Sequence, residues 1–487
     1  MRILLLYAPL QHTPGAVPKP DGSLGLPYLA GALRAAGHEV AILDTSVGWA
    51  DDPSAFGHRR PLPSGQVRIG LTNEEILSAA EPFDVFGVSS TFTAQHSMAL
   101  HLVWLLAAGF PDRPLLVGGV NARFFASKFL AAGATAVFLS EAEQALLLVM
   151  ERLQRGSRDL RGIAGLALRE GNTAVPQALL DLDNLPMPAW DLLPNAHYWS
   201  IGRPHGGALG SPLRYAAMMT SRGCPYRCDY CHISVEKGSS SSSGEIGRLR
   251  VKSVARVVQE VDVLQALGVE AIYLEDDSLL AKKPRALQIF RAIADRGLRL
   301  ADVNGVNIAH LFRNAGEGKL EPDVELLDAM AACGFVDLCL PFESGVQRVI
   351  DKYASAKWNV GTANTEALIQ AVRTAGIRCS GNYMIGYPDE TEVEIQQTLA
   401  LARRHRAVGL DEADVFLVVP FPGTRLFDCA LKAGHLAPDW HPDGMRWFNP
   451  VMQNTATPPE RLEELRNAAW VELNSPSYVA ARQEAAL

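Results

Sequence analysis

Twice along this chain, short apolar runs of β character alternate with helical patterns, and that rhythm narrows the fold more than any other feature. The first series is Ile3–Tyr7, Val40–Leu43, Val85–Ser89, Leu115–Val117 and Ala136–Leu139, with helical stretches such as Pro27–Ala36 and Ala94–Ala108 between. The second is Ala216–Thr220, Ala271–Leu274, Ala301–Gly305, Val336–Pro341, Cys379–Ile385 and Asp414–Val419, spaced by segments such as Val254–Leu267 and Thr365–Ala375. Strands repeated this way pair in parallel, because a parallel neighbour is reached only through a crossover, usually a helix. The expectation is an α/β chain in two parts. An N-terminal doubly wound, Rossmann-like parallel sheet is followed by a partial (β/α)6 TIM-type barrel, with a small helical C-terminal segment over Pro458–Leu473. Boundaries are expected at 1–160 for the first domain, 161–205 for a linker, 206–430 for the barrel and 431–487 for a helical cap over the barrel mouth. The linker rests on Asp181–Pro194, whose prolines fit poorly inside helices or sheets.

A chain of 487 residues, 48% apolar and 20% charged, is globular and long enough for two or three domains. Its net charge of −8 offers no basic field for nucleic acid. The apolar run at Ile3–Tyr7 is too short for a signal peptide, and the helical run Met98–Phe110 is too short to cross a bilayer. A soluble, cytoplasmic protein with no membrane partner is expected. Cys333, Cys339, Cys379 and Cys429 lie scattered among largely apolar neighbours and read as buried free thiols, as a reducing compartment allows.

Three other cysteines carry chemistry. Cys224, Cys228 and Cys231 fall at C-x3-C-x2-C just past the first strand of the second series. Three thiolates on one loop can hold three corners of a cubane iron–sulfur cluster, leaving its fourth iron open to a small chelating molecule. A zinc site is the competing reading, but zinc usually takes four ligands, often as two C-x2-C pairs. No second pair exists, and His232 adjoins Cys231 too closely to close a tetrahedron.

With its flanks Thr220-Ser221-Arg222-Gly223 and Pro225-Tyr226, the motif resembles the signature of the radical S-adenosylmethionine (radical SAM) superfamily. That resemblance implies a [4Fe–4S] cluster whose open iron chelates SAM, and reductive cleavage of SAM to a deoxyadenosyl radical. It also implies an external electron donor such as flavodoxin or ferredoxin. The first domain resembles the cobalamin-binding domain placed ahead of many such enzymes, through Leu24–Ala30, Gly37–Val40, Gly87–Ser90 and Gly118-Gly119. Cobalamin is therefore expected as a further cofactor, with Ser89, Ser90, Gly118 and Gly119 facing it and Thr91 able to assist. The chain departs from that family at Leu139-Ser140-Glu141-Ala142-Glu143, where two glycines are missing, and at Val120-Asn121-Ala122-Arg123. Leu10 stands where a cobalt-binding motif would place an Asp two residues before His12, so His12 reads as an ordinary loop histidine.

Further matches lie at later strand ends. Glu275, Asp276 and Asp277 resemble a SAM-contacting segment, where carboxylates suit an ammonium or ribose hydroxyls, although a solvated acidic turn would look the same. Glu343 and Ser344 end a buried strand and point to SAM, with a structural ion pair as the alternative for Glu343. Gly381 and Gly386 resemble the segment that lays backbone against adenine. Tyr230 could pack on adenine or simply within its loop. Pro422-Gly423 reads as a turn, and the stretch from Lys237 through Gly244 as a mobile spacer. By resemblance the chain is an enzyme, a cobalamin-dependent methyltransferase acting on an unactivated carbon of a small-molecule substrate. The alternatives are cobalamin-independent transfer of the 3-amino-3-carboxypropyl group of SAM, or a radical cyclisation or rearrangement.

Overall fold

β1 (Arg2–Tyr7) presents five successive buried residues, the continuous apolar run expected of a parallel strand covered on both faces. It pairs in parallel with β2 (Glu39–Asp44) and β3 (Val85–Ser89), and β3 is followed in parallel by β4 (Leu115–Gly118) and β5 (Ala136–Phe138). The parallel order is thus 2-1-3-4-5, extended past β5 by two antiparallel strands, β6 (Leu166–Leu168) and β7 (Gly171–Asn172). Helices α1 (Gly25–Ala35), α2 (His96–Gly109) and α3 (Glu143–Gln154) supply crossovers and cover. The computed structural model describes residues 1–14, 16–20, 22–49, 53–176, 178–202, 213–238, 242–316 and 319–484. They fall into two compact units, the first running from Met1 to residue 202 and including the described residues of 236–246, the second covering the described residues of 213–235 and 247–484.

Several features of the first unit gave no sequence signal. Leu10–His12 forms a short strand of a separate antiparallel sheet with Val67–Ile69 and Arg59–Pro61. His12 is therefore a buried strand residue, not a loop histidine, and its Nδ1 meets the Thr13 carbonyl at 3.0 Å. The proline-rich stretch docks on α1: Ala189 N–H donates to the Pro27 carbonyl at 2.9 Å, Arg34 pairs with Asp191, and Trp190 is buried. Residues 236–238 and 242–246 also belong to this unit. Glu236 pairs with Arg123, and Ser140 Oγ donates to the Ser243 carbonyl at 2.8 Å. Ser239–Ser241, the middle of the expected mobile spacer, lie outside the described residues.

The second unit is a six-stranded, all-parallel sheet whose strands follow one another in chain order. They are β8 (Tyr215–Met218), β9 (Ala271–Leu274), β10 (Arg299–Asp302), β11 (Phe335–Glu343), β12 (Arg378–Ile385) and β13 (Glu412–Leu417). Between them run α4 (Val254–Ala266), α5 (Lys283–Ile293), α6 (Val324–Ala332), α7 (Gln347–Tyr353), α8 (Thr365–Thr374) and α9 (Glu392–Ala407). Burial alternates along β12 and β13, with Cys379, Gly381, Tyr383 and Ile385 packed under helices while Ser380, Asn382 and Met384 are less covered. After α10 (Arg425–Lys432), α11 (Pro459–Leu473) packs against β13. Asn474, just past α11, accepts from the Ala413 N–H at 3.0 Å and donates to the Ala413 carbonyl at 2.8 Å. Its amide stands in for a missing strand, so the terminal segment covers the edge of the last strand. Cys333 and Cys379 are buried as expected, whereas Cys429 on α10 is exposed. No helix among the described residues is long and apolar enough to cross a membrane.

Candidate functional site

Parallel sheets of this kind bind ligands at the carboxyl ends of their strands, and the cysteine loop leaves the carboxyl end of β8. Its backbone is fixed from several sides. Ser221 and Arg222 pair antiparallel with Val251 and Arg250. Cys224 N–H donates to the Gly247 carbonyl at 3.2 Å, Arg227 N–H to Ser355 Oγ at 3.0 Å, and Asp229 N–H to the Tyr353 carbonyl at 2.8 Å. Ser234 Oγ closes the far side on the Cys228 carbonyl at 2.7 Å. Cys228 is buried, and Cys224 and Cys231 are partly so. Among the described residues, no three His, Cys, Asp or Glu side chains converge closely enough to share one metal ion. A zinc ion needs its ligands around one centre, whereas a cubane binds each cysteine at a different iron and keeps the sulfurs apart. Three thiolates on one loop are the donor set that a cubane takes from a protein, so the residues present fit the cluster.

Gly223 is essential to the loop's path. Its φ is +81°, and a Cβ there would lie 2.4 Å from the Arg248 carbonyl oxygen. Gly223→Ala is expected to cost about 2 kcal/mol from the left-handed backbone alone, more from the clash. The check is iron and sulfide content after anaerobic reconstitution, which should fall by more than half. Full occupancy would remove this account of the loop.

The acidic residues after β9 turn out to serve the loop. Asp276 is buried and accepts from Thr220 N–H at 2.9 Å, Thr220 Oγ1 at 2.8 Å and Ser221 Oγ at 2.5 Å. Asp277 accepts from Gly223 N–H at 2.8 Å. These two carboxylates hold the strand end and the start of the loop, so the acidic turn is not simply solvated. Glu275 is partly buried and its carbonyl accepts from Asn304 Nδ2 at 2.9 Å. Below them, fully buried Lys252 donates to the Met219 carbonyl at 2.6 Å and to Glu260 at 2.5 Å, and Arg256 reaches the other Glu260 oxygen at 2.8 Å. Arg285 ties the Thr220 and Lys252 carbonyls together at 2.7 and 2.6 Å.

At the end of β11, Glu343 is buried and adopts a left-handed φ of +61° where the register with β12 slips. Its Oε1 accepts from Tyr230 OH at 2.9 Å and from Lys357 Nζ at 2.5 Å. Ser344 points elsewhere: its hydroxyl pairs with Thr398 Oγ1 on α9 at 3.1 Å and accepts from Val346 N–H. Gly381 likewise answers to packing, since a Cβ would lie 2.8 Å from Leu410 and 2.9 Å from the Tyr383 hydroxyl. Gly386, at φ +91°, donates its N–H to Glu390 Oε2 at 2.7 Å, and Tyr387 N–H reaches the same oxygen at 3.2 Å. Burial pushes the Glu390 carboxyl up to about 7, and its Oε1 has no hydrogen-bond partner. The Tyr230 ring lies 6.2 Å from Tyr387, which stacks on Tyr353 at 4.4 Å.

In the first unit, order 2-1-3-4-5 places the topological switch between β1 and β3, where Ser89 and Ser90 end their strand. Ser89 Oγ meets Thr91 Oγ1 at 3.3 Å, and Ser90 Oγ accepts from Asn121 Nδ2 at 2.8 Å. Asn121 is buried, its Nδ2 also meets His96 Nδ1 at 3.1 Å, and its Oδ1 is left unpaired. A hydroxyl- and amide-lined switch point with an orphaned acceptor fits the hydrogen-bonding periphery of a corrin cofactor. Gly119 has a reason within the chain: at φ +106°, a Cβ would lie 2.4 Å from the Ser90 carbonyl oxygen. Gly118 would accept a Cβ with ordinary contacts to Phe138. Sequence reasoning missed Lys357, Lys252, Glu260, Glu390 and Asn121; of these Asn121 lay in the stretch noted for departing from the cobalamin-binding family.

Comparison with known proteins agrees with this layout. Residues 218–402 match the radical SAM superfamily and residues 19–149 the B12 binding domain. The chain is 28% identical to the cytidylyl-2-hydroxyethylphosphonate methyltransferase of Streptomyces wedmorensis, over 87% of this chain and 80% of that protein. It is 27% identical to an uncharacterized methyltransferase of Pyrococcus horikoshii, over 97% and 92%. In fold it is similar to the radical SAM methyltransferase TsrM from Kitasatospora setae, solved with tryptophan substrate and a SAM analogue, at TM-score 0.69 and 17% identity, covering 98% of this chain and 90% of that one.

Proposed function

From a chain that belongs to the radical SAM superfamily and carries a B12-binding domain ahead of its barrel, we propose a cobalamin-dependent methyltransferase acting on an unactivated carbon of a small molecule. The observation that carries the reading is the three-cysteine loop, fixed by backbone hydrogen bonds at the carboxyl end of the first barrel strand. Its methyltransferase relatives support the choice of reaction. When bound, a [4Fe–4S] cluster supplies the electron that opens SAM, and cobalamin supplies the methyl carrier.

The chain's own groups bind and orient. Cys224, Cys228 and Cys231 take the cluster. Asp276 and Asp277 hold the loop in place, and Glu390 fixes the Gly386–Tyr387 backbone through its N–H groups. Glu343 faces the SAM side with Tyr230. Ser89, Ser90 and Asn121 offer hydrogen bonds to the corrin periphery. A small electron-transfer protein of the flavodoxin or ferredoxin class delivers the electron, and the protein works in the cytoplasm.

The test is anaerobic turnover of reconstituted protein with SAM, a reductant and cobalamin. Deoxyadenosine and S-adenosylhomocysteine are expected, together with a corrin spectrum in the purified protein, and Cys224→Ala/Cys228→Ala/Cys231→Ala should form neither product. Methylthioadenosine in their place would shift the assignment to aminocarboxypropyl transfer, and undiminished products from the triple variant would end it.

A further inference from the structure

Among the described residues, four non-glycine residues have positive φ, and three of them surround one hydrogen-bond network. Glu343, at +61°, ends β11; Ser355 and Ala356, at +60° and +48°, form the turn that leads into Lys357. Left-handed backbone costs an L-residue roughly 1–2 kcal/mol, and it persists where the surroundings overdetermine it, most often at functional sites. The surroundings here are specific. Trp358 Nε1 donates to the Phe342 carbonyl at 3.1 Å, and Ser355 Oγ receives the Arg227 N–H of the cysteine loop at 3.0 Å. The turn is thereby pinned both to the strand end and to the loop.

The result of this strained geometry is a buried ammonium. Lys357 Nζ lies 2.5 Å from Glu343 Oε1 and 3.5 Å from Tyr230 OH, with its side chain 11% exposed. Burial by itself would depress this ammonium, and the adjoining Glu343 carboxylate acts in the opposite direction. Both donors converge on one carboxylate oxygen, and among the described residues Oε2 takes no hydrogen bond. A carboxylate held by one oxygen has a fixed direction and an oxygen available for a ligand's cationic or hydroxyl group.

We propose that Lys357 is a positioning residue for SAM: with Tyr230 it clamps Oε1 of Glu343, so that Oε2 stays aimed to receive the ammonium or ribose hydroxyls of SAM. The inference rests on the radical SAM reading above. A purely structural ion pair would hold the turn in place and leave ligand affinity alone.

The experiment measures SAM binding to cluster-loaded protein by equilibrium dialysis without reductant, so that no turnover occurs. Lys357→Met and Glu343→Gln should each weaken SAM binding roughly tenfold or more, with iron content unchanged. Lys357→Met leaves Glu343 unpaired, so the double variant Glu343→Gln/Lys357→Met, which holds no unmatched buried charge, guards against a folding failure. Because Lys357 acts through Glu343, the double variant should bind SAM as Glu343→Gln does. Affinity within twofold of wild type in Lys357→Met, or a further loss in the double variant beyond Glu343→Gln, overturns the proposal. Failure of the cluster-loaded wild-type protein to bind SAM would instead bring down the radical SAM reading itself.

Discussion

Replacing Asp276 with alanine is expected to cost about 3–5 kcal/mol and to strip most of the iron from the reconstituted protein. The carboxylate accepts three hydrogen bonds from two consecutive residues, Thr220 and Ser221, at the point where β8 becomes the cysteine loop. Hydrogen bonds to a charged acceptor contribute roughly 1.5–3 kcal/mol each, and those that share a carboxylate are lost together and not additively. Alanine leaves the Thr220 N–H buried without its acceptor. Arg285 still holds the Thr220 carbonyl, so β8 itself should survive and the damage should fall on the loop. Asp276→Asn keeps one acceptor for the N–H and can donate to a hydroxyl, so an intermediate loss is expected. Iron and sulfide per chain, read beside the far-ultraviolet melting curve, check this; wild-type iron content in Asp276→Ala would show that the loop needs no such anchor.

A comparable loss is expected from Glu260→Gln, which touches none of the proposed ligands. Glu260 is fully buried and bridges Lys252 and Arg256 on its two oxygens. Burial lowers the Lys252 ammonium to about 8 even with Glu260 beside it, so the charge is tolerated only through its partners. Breaking one member of a buried ionic set typically costs about 3–5 kcal/mol, because the remaining charge stays desolvated. Lys252 also donates to the Met219 carbonyl, one residue before Thr220, so the injury should reach the cysteine loop. A melting temperature several degrees lower is expected, with Lys252→Met/Arg256→Met/Glu260→Leu recovering part of the loss, since an apolar set of similar volume leaves neither cation stranded. An unchanged melting temperature in Glu260→Gln would mean that water or rearrangement satisfies Lys252 and Arg256.

How legible each part was depended on how local its cause was. The parallel strands could be read within three residues, because a strand buried on both faces shows as an apolar run, as in Ile3–Tyr7 and Ala271–Leu274. The cysteine spacing was legible for a related reason: three ligands on one loop are a local pattern. The roles of the acids were not. Asp276 and Asp277 look like ligands for a cation when read along the chain, and folding spends them on Thr220, Ser221 and Gly223, more than fifty residues earlier. Gly381 and Gly119 are ambiguous along the chain, since a residue without a side chain gives no indication of whether a ligand or the chain itself needs the space.

The sequence by itself determined the two parallel α/β sheets, the place of the cysteine loop after the first barrel strand and the identity of its three thiols, because periodicity and short spacing are properties of neighbouring residues. Only the tertiary structure decided which polar groups remain for a ligand. Lys357 meets Glu343 across a turn of left-handed residues, and Asn121 meets Ser90 from a different strand end. Such pairings are set by how strand ends converge in space, and a buried charge or amide is stable only where that convergence brings it a partner.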